Sequence, residues 1–373
     1  MNKILFFDKT NSGHHYIYNK EAMKTLIEKK GIEVHYYSKF NDDLQIDQLE
    51  QLNVVNRNFR TEGSRGLPLI IELLYLRMYL KKNKINKLHL FYLDSDLIYA
   101  PVFWVFFKDI DITATMHWYP NKKIKEKLLK NLIESSVIKK IVVHGNYTKQ
   151  KVENLVKRKN SVFSITYPYL HSKKAEASTL KRVQHKLENK EKPIFLAFGG
   201  LRRDKGIDIL LEALKKVKLP FTLIIAGGES DFKKDEIIKI VEANKISHKV
   251  ILDIQFIDEE ALDAYFTIAD VVVLPYRKYF SGQSGPLTEG ANRSKVILGP
   301  SSGEVGYTIE KYNLGITFIS ENENDLQEKI EFLISNINNV KNQTFEGAEN
   351  YQKEIDIKNF SYSYQKFFLN SQW

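Results

Sequence analysis

No cysteine occurs in the 373 residues. That excludes disulfide staples, thiolate metal sites and a cysteine nucleophile, and it fits a reducing compartment such as the cytoplasm. Long hydrophobic runs are also missing. The longest uncharged apolar run, Leu97 to Phe107, is about half of the ~20 residues that a bilayer crossing needs, and it contains Pro101. The opening MNKILFFDKT has only four consecutive apolar residues before Asp8, well short of a secretory core, and reads as a first β-strand. No stretch has the composition of disorder. Hydrophobic residues make up 43% and aromatics 12%, which is ample for burial. A chain of this length exceeds the ~250–300 residues at which single cores stop growing, so two domains are expected.

The net charge of +10 is unevenly spread: residues 1–190 hold 34 Lys+Arg against 19 Asp+Glu, and residues 191–373 hold 22 against 27. The basic half is expected to face something anionic. In Asn121 to Lys130 (NKKIKEKLLK), Ile124, Leu128 and Leu129 stand at helical spacing among lysines, a pattern suited either to an anionic membrane surface or to a solvated helix face. A nucleic-acid partner is not expected, because no recognition motif accompanies the charge.

Short apolar runs alternate with amphipathic helical stretches throughout, the signature of α/β layers with parallel sheets. Strands are predicted at 3–7, 33–37, 88–93, 112–116, 140–143 and 162–166, then at 193–198, 221–226, 249–254, 270–274, 295–298 and 315–319. A Lys- and Glu-rich stretch from His171 to Lys192 reads as the linker. The expected domains are therefore 1–175 and 190–349, with a terminal helix at about 350–373 packing back on the first. In Asp204–Lys218, Ile207, Leu210, Leu211, Leu214 and Val217 form one helical stripe.

In open parallel sheets, ligands bind beyond the carboxyl ends of the strands. At Phe198 to Gly206 a strand ends in Gly199 and Gly200, Arg202 and Lys205 follow, and a helix begins. Glycines admit an anion to the backbone, a helix start offers free N–H groups, and the cations supply charge, so this is a phosphate site in composition. A second junction runs from Pro275 to Ala291. Gly282 and Gly285 permit turns around a ligand, Pro286 suits a first helical turn, and Glu289 could accept hydrogen bonds from a vicinal diol such as a ribose. In the first half, Asn11 to His15 follows the opening strand, where Gly13 could approach a phosphate or sugar. His117 ends the strand ITATM, placing an imidazole at a carboxyl edge.

On these residues the chain resembles glycosyltransferase family 4 (glycosyl transferases group 1), retaining enzymes of GT-B architecture with two facing Rossmann-like domains. The resemblance covers nearly the whole chain and is most specific from Pro193 to Phe318. It implies that Arg202 and Lys205 hold a donor diphosphate with Gly200, that His117 in TMHWYP touches the donor sugar, and that Glu289 holds the nucleotide ribose. Ser281 departs from the pattern, standing where the family carries the first of two glutamates. Gln283 and backbone groups of Gly282, Ser284 and Gly285 are the expected substitutes. The implied reaction moves a hexose from a UDP- or GDP-sugar to a glycan or lipid-linked acceptor in bacterial surface polysaccharide synthesis. Anomeric configuration is retained by front-face displacement, with neither metal nor cofactor required.

Three other readings stand beside it. Asp94-Ser95-Asp96 mimics a metal-binding Asp-x-Asp, although Asp96 also suits a helix N-cap. A nucleotide-sugar epimerase can share the architecture and needs no acceptor. A non-catalytic partner subunit would explain Ser281.

Overall fold

Runs such as NKILFFD and VILGP are nearly continuous in apolar residues, as strands covered on both faces must be. In the computed structural model, which describes residues 2–370 apart from 12, 13, 41, 42, 64, 159 and 172, these runs build two parallel sheets. The chain divides into two compact units: residues 1–170 with 356–373, and residues 171–355.

The first unit contains β1 (Asn2–Asp8), α1 (His14–Ile27), β2 (Ile32–Ser38), α2 (Asp43–Gln51), β3 (Val55–Asn58), α3 (Gly66–Lys82), β4 (Lys87–Leu90), α4 (Leu93–Asp96), α5 (Ala100–Phe106), β5 (Asp111–Met116), α6 (Lys123–Glu134), β6 (Ile138–Val143), α7 (Asn146–Leu155) and β7 (Val162–Ser164). Its strand order is β3-β2-β1-β4-β5-β6-β7, so the order reverses between β1 and β4. Side chains alternate across the sheet. Leu5 and Phe7 pack with Leu73 and Leu76 of α3, Phe103 of α5 and Leu129 of α6 in one core layer. Ile4 and Phe6 pack in the other, with Tyr18 and Met23 of α1.

The second unit contains α8 (Ala177–His185), β8 (Ile194–Phe198), α9 (Ile207–Leu214), β9 (Thr222–Ala226), α10 (Lys234–Ala243), β10 (Val250–Asp253), α11 (Glu259–Ile268), β11 (Val271–Val273), α12 (Gly285–Asn292), β12 (Val296–Pro300), α13 (Gly303–Tyr312), β13 (Gly315–Phe318) and α14 (Glu323–Glu354). Its order, β10-β9-β8-β11-β12-β13, reverses between β8 and β11. α15 (Ile357–Asn370) belongs to the first unit, where Phe360, Tyr364 and Phe368 enter the α1 layer.

Four expectations need correction. The supposed linker carries α8, which packs on α11, and Lys186 pairs with Asp253 at 2.6 Å, so residues 171–192 belong to the second unit. The terminal helix is the end of α14 followed by α15, with the break at Ile355 and Asp356. The stripe from Asp204 begins as a helix only at Ile207, because Gly206 sits at φ +62 after a 3₁₀ turn, Arg203–Lys205. Finally, the apolar side of α6 is spent on the core: Leu129 is fully buried and Leu128 is packed against the same layer, leaving Ile124 exposed. β3 was not predicted, since Val-Asn-Arg-Asn at a sheet edge has no apolar face.

Candidate active site

The order reversal between β8 and β11 puts two loops side by side at the carboxyl edge of the second sheet. After β8 the chain turns at Gly199, whose φ is +109; a Cβ there would overlap the Lys205 ammonium. Gly206 closes the turn, and a Cβ on it would overlap the Pro275 carbonyl at the end of β11. Both glycines are therefore favoured by their positive φ, and Gly206 is required as well by close approach of main chain.

Lys205 lies folded over this turn, with Nζ 3.5 Å from the Phe198 carbonyl oxygen. Burial pushes its pKa down to about 8, the charge of Arg202 adds to the effect, and Asp204 opposes it. Asp204 is itself occupied, accepting from Arg202 Nε at 3.0 Å and from a second guanidinium nitrogen. Lys205 is thus a partly desolvated cation without a carboxylate partner among the described residues, an arrangement that an incoming anion would relieve. Arg277 staples the two loops together. Its Nε donates to the Arg203 carbonyl at 2.9 Å, its Nη2 reaches Asp208 at 2.5 Å, and its backbone N–H donates to the Asp204 carbonyl at 3.0 Å.

The loop after β11 leads into α12. Ser284 caps that helix, its Oγ accepting from Leu287 N–H at 3.2 Å, and Tyr276 OH lies 3.0 Å from the same oxygen. Gly282 is buried, whereas a Cβ on Gly285 would meet open space. Glu289, 4% exposed, does not stand free as the sequence suggests. Oε1 pairs with His171 Nδ1 at 2.6 Å and Oε2 with Arg293 at 2.7 Å, while Arg293 also holds Asp263, Nε to Oδ1 3.0 Å. The hydrogen bond to Glu289 is the main cause raising the His171 pKa. A carboxylate has about four lone-pair positions, so each oxygen retains capacity for another donor.

In the first unit, His117 stands just past β5, with its N–H donating to Asp94 Oδ1 at 2.9 Å. Its ring stacks on Tyr92, centroids 4.0 Å apart, and the other face of Tyr92 is covered by His15 at 3.8 Å. His15 Nδ1 is 2.8 Å from Asp8 Oδ2, which also accepts from Asn19 at 2.8 Å. Beneath the rings, Tyr18 OH is 2.8 Å from His144 Nε2 and 2.6 Å from Tyr364 OH. Burial holds the His144 pKa down to about 4, so its ring is neutral at pH 7. Gly13 lies outside the described residues.

The Asp-x-Asp pair is otherwise engaged. Asp94 holds the end of β5, and Asp96 pairs with Lys9 at 3.4 Å instead of capping a helix. Burial raises the Asp96 pKa to about 6. Among the described residues no group of three or more His, Asp or Glu is placed to hold a metal.

Arg202 and Lys205 share one turn, which Arg277 and the close approach of Gly206 to Pro275 tie to the loop preceding α12 and Glu289. His117 belongs to a separate ring cluster on the other unit. Asp8 and His144 mark the ends of strands just as His117 does, and that position is the local signal for them in the sequence. His171 and Arg293 carry no such signal, because they are tied to the site by pairing with residues distant in sequence.

Residues 179–350 match the family described as Glycosyl transferases group 1. An uncharacterized glycosyltransferase of Methanocaldococcus jannaschii is 34% identical over 142 residues, 38% of each chain. Among solved structures, sucrose-phosphate synthase from Thermosynechococcus elongatus aligns over 100% of both chains with a TM-score of 0.75 at 16% identity. Anabaena HepE in complex with UDP and glucose aligns over 99% of this chain and 100% of its own, with a TM-score of 0.76 at 14% identity. WaaG, a glycosyltransferase involved in lipopolysaccharide biosynthesis, covers 98% and 99%, with a TM-score of 0.69 at 11% identity. The fold is GT-B, and the match to the group 1 glycosyltransferase family lies within the second unit.

Proposed function

We propose that the chain is a retaining glycosyltransferase of family 4, moving a hexose from a UDP- or GDP-sugar to a glycan or lipid-linked acceptor in surface polysaccharide synthesis on the cytoplasmic side. The observation that carries this reading is the half-buried Lys205 ammonium, folded over Gly199 at the order reversal of the second sheet. A diphosphate is the ligand that such a cation needs. Anabaena HepE, with UDP bound, lends support as a protein of the same fold.

In this reading Lys205, Arg202 and the Gly200 amide neutralise the departing diphosphate. Glu289 accepts from the ribose hydroxyls through its remaining lone pairs, and Gly282 to Gly285, with Gln283 and Ser284, line the sugar end in place of the glutamate that Ser281 lacks. His117 contacts the donor sugar. The acceptor oxygen bonds to the anomeric carbon on the face from which the phosphate oxygen leaves, and the hydroxyl proton passes to that phosphate. Neither cofactor nor metal takes part.

Replacing Lys205→Ala is expected to lower kcat/KM about a hundredfold or more, the usual cost of removing a donor to a developing anion. The melting temperature should hold, because a half-buried cation whose burial disfavours its charge is removed. Kinetics within a factor of a few of the parent would sink the reading, as would loss of turnover in a chelator. A thermal-shift panel of UDP- and GDP-sugars identifies the donor, since ligand at ~100 times Kd adds ~2.7 kcal/mol.

A further inference from the structure

The layer between the first sheet and helices α1 and α15 is rich in phenylalanine, with Phe6, Phe91, Phe360 and Phe368 all buried in it. A line of polar side chains runs through the same layer: His89 of β4, Thr113 and Thr115 of β5, Tyr364 of α15, Tyr18 of α1 and His144 just past β6, each at most 2% exposed. His89 Nδ1 lies 2.8 Å from Thr113 Oγ1, and its Nε2 lies 3.0 Å from Thr115 Oγ1. Thr115 Oγ1 is 2.6 Å from Tyr364 OH, which is 2.6 Å from Tyr18 OH, and Tyr18 OH is 2.8 Å from His144 Nε2. A buried, paired hydroxyl contributes only modestly to stability, and a phenyl ring would fill the space of either tyrosine. Packing alone therefore does not account for the line.

Its direction is fixed from one end. The Ile165 carbonyl can only accept, so His144 Nδ1, 2.8 Å away, carries a hydrogen. Burial pushes the His144 pKa down to about 4 and that of His89 to about 3, so both rings are neutral at pH 7. His144 Nε2 is then bare and accepts from Tyr18 OH. Tyr18 has spent its one hydrogen and accepts from Tyr364, which accepts from Thr115. Thr115 accepts from His89 Nε2–H, and His89 Nδ1 accepts from Thr113. Every bond in the line points from Thr113 towards the Ile165 carbonyl.

The line ends beside His117. Met116 pairs with Val143, so His117 and His144 follow at the carboxyl ends of neighbouring strands, with ring centroids 4.7 Å apart. The Tyr18 ring meets His117 edge-on at 4.8 Å, and Tyr92 stacks on it at 4.0 Å. We infer that Tyr18 is a positioning residue for His117, with Tyr364 anchoring the Tyr18 hydroxyl and the same line of bonds holding His144 as its Nδ1–H tautomer. Helix α15 thereby helps to set the angle at which the crest of the first sheet presents an imidazole. The inference rests on the reading of His117 as a contact to the donor sugar, and the tests below separate the two.

Nitrogen-15 NMR of the histidines in the intact chain reads the tautomer without substrate. His144 is expected as the Nδ1–H form at pH 7; an Nε2–H form or a charged ring would overturn the inference. Turnover is read as release of nucleoside diphosphate from the sugar that ranks first in the panel of UDP- and GDP-sugars. Tyr18→Phe keeps the ring and should lower kcat about tenfold, with the Kd for the free nucleoside diphosphate unaltered, and Tyr364→Phe should lower it about threefold. In a His117→Ala background Tyr18→Phe should have no further effect, because a residue that acts through His117 has nothing left to act on. Additive losses, or parental kcat in Tyr18→Phe, overturn the inference and leave the donor reading standing. Parental turnover in His117→Ala alone sinks the reading of His117, and the inference with it.

Discussion

The two sheets reverse strand order at corresponding places, yet the loops above the reversals are made of different material. In the second unit the crest is backbone: Gly199 and Gly206 bring main chain against Lys205 and Pro275, and cations fill the space. In the first unit the crest is side chains, with His15, Tyr92 and His117 stacked in series above the Tyr18, His144 and Tyr364 hydrogen bonds. One crest can offer amides and charge to an anion. The other offers ring faces and imidazole edges, groups that suit a sugar. A shared topology thus sets where a ligand can bind, while local composition sets what kind.

The contrast can be broken most sharply at a glycine. Gly206→Ala combines a left-handed backbone with overlap of the Pro275 carbonyl, and should cost about 3 kcal/mol of stability in denaturant unfolding. Gly285→Ala, which meets open space, should leave that measurement unchanged; equal effects would show that the second crest is not built on close approach. On the side-chain crest, Tyr18→Phe removes the hydroxyl that joins His144 Nε2 to Tyr364 OH, which keeps Thr115, and is expected to cost about 1 kcal/mol, with the Kd for free nucleotide unaltered. A change in nucleotide affinity would contradict the division of labour.

Titration gives two finer tests. The Lys205 pKa of about 8 in the free protein should rise when a diphosphate binds, because an anion favours the charged form. Donor affinity is then constant below pH 8 and falls above it by up to about tenfold per unit, and Lys205→Arg should flatten the profile. A flat profile in the parent would remove Lys205 from the anion site. The smallest effect concerns His171, whose raised pKa means that the Glu289 pair stabilises fully below the unfolded value of about 6.5 and is lost as pH rises through the folded value. His171→Phe should cost about 1 kcal/mol at acidic pH, a low figure because the ring is 31% exposed, and almost nothing at pH 9. An equal loss at both pH values would make the pair's charge irrelevant.

The same contrast governs what could be read from the chain. Twelve of the thirteen strands among the described residues stand out because buried parallel strands are continuous apolar runs, and β3 escapes because an edge strand need not be. Gly199, Gly200, Arg202 and Lys205 are legible since every part of that turn is local. Glu289 is legible as a residue but not in its surroundings, because His171 lies 118 positions away. The stacking of His15 on Tyr92 and the Tyr18 bond to Tyr364 join segments that no pattern in sequence links. The break between α14 and α15 was missed for another reason: the amphipathic period runs through it, and only Ile355 and Asp356 leave the helix.

The polypeptide crosses from the first unit to the second after residue 170 and returns at 356. The second unit is therefore an insertion within the first, and its residues are all available to fold before the ribosome has delivered α15. Until then the layer around Tyr18 and Phe6 lacks Tyr364 and Phe368 and must wait with apolar surface uncovered. The unit that begins translation first is the one completed last.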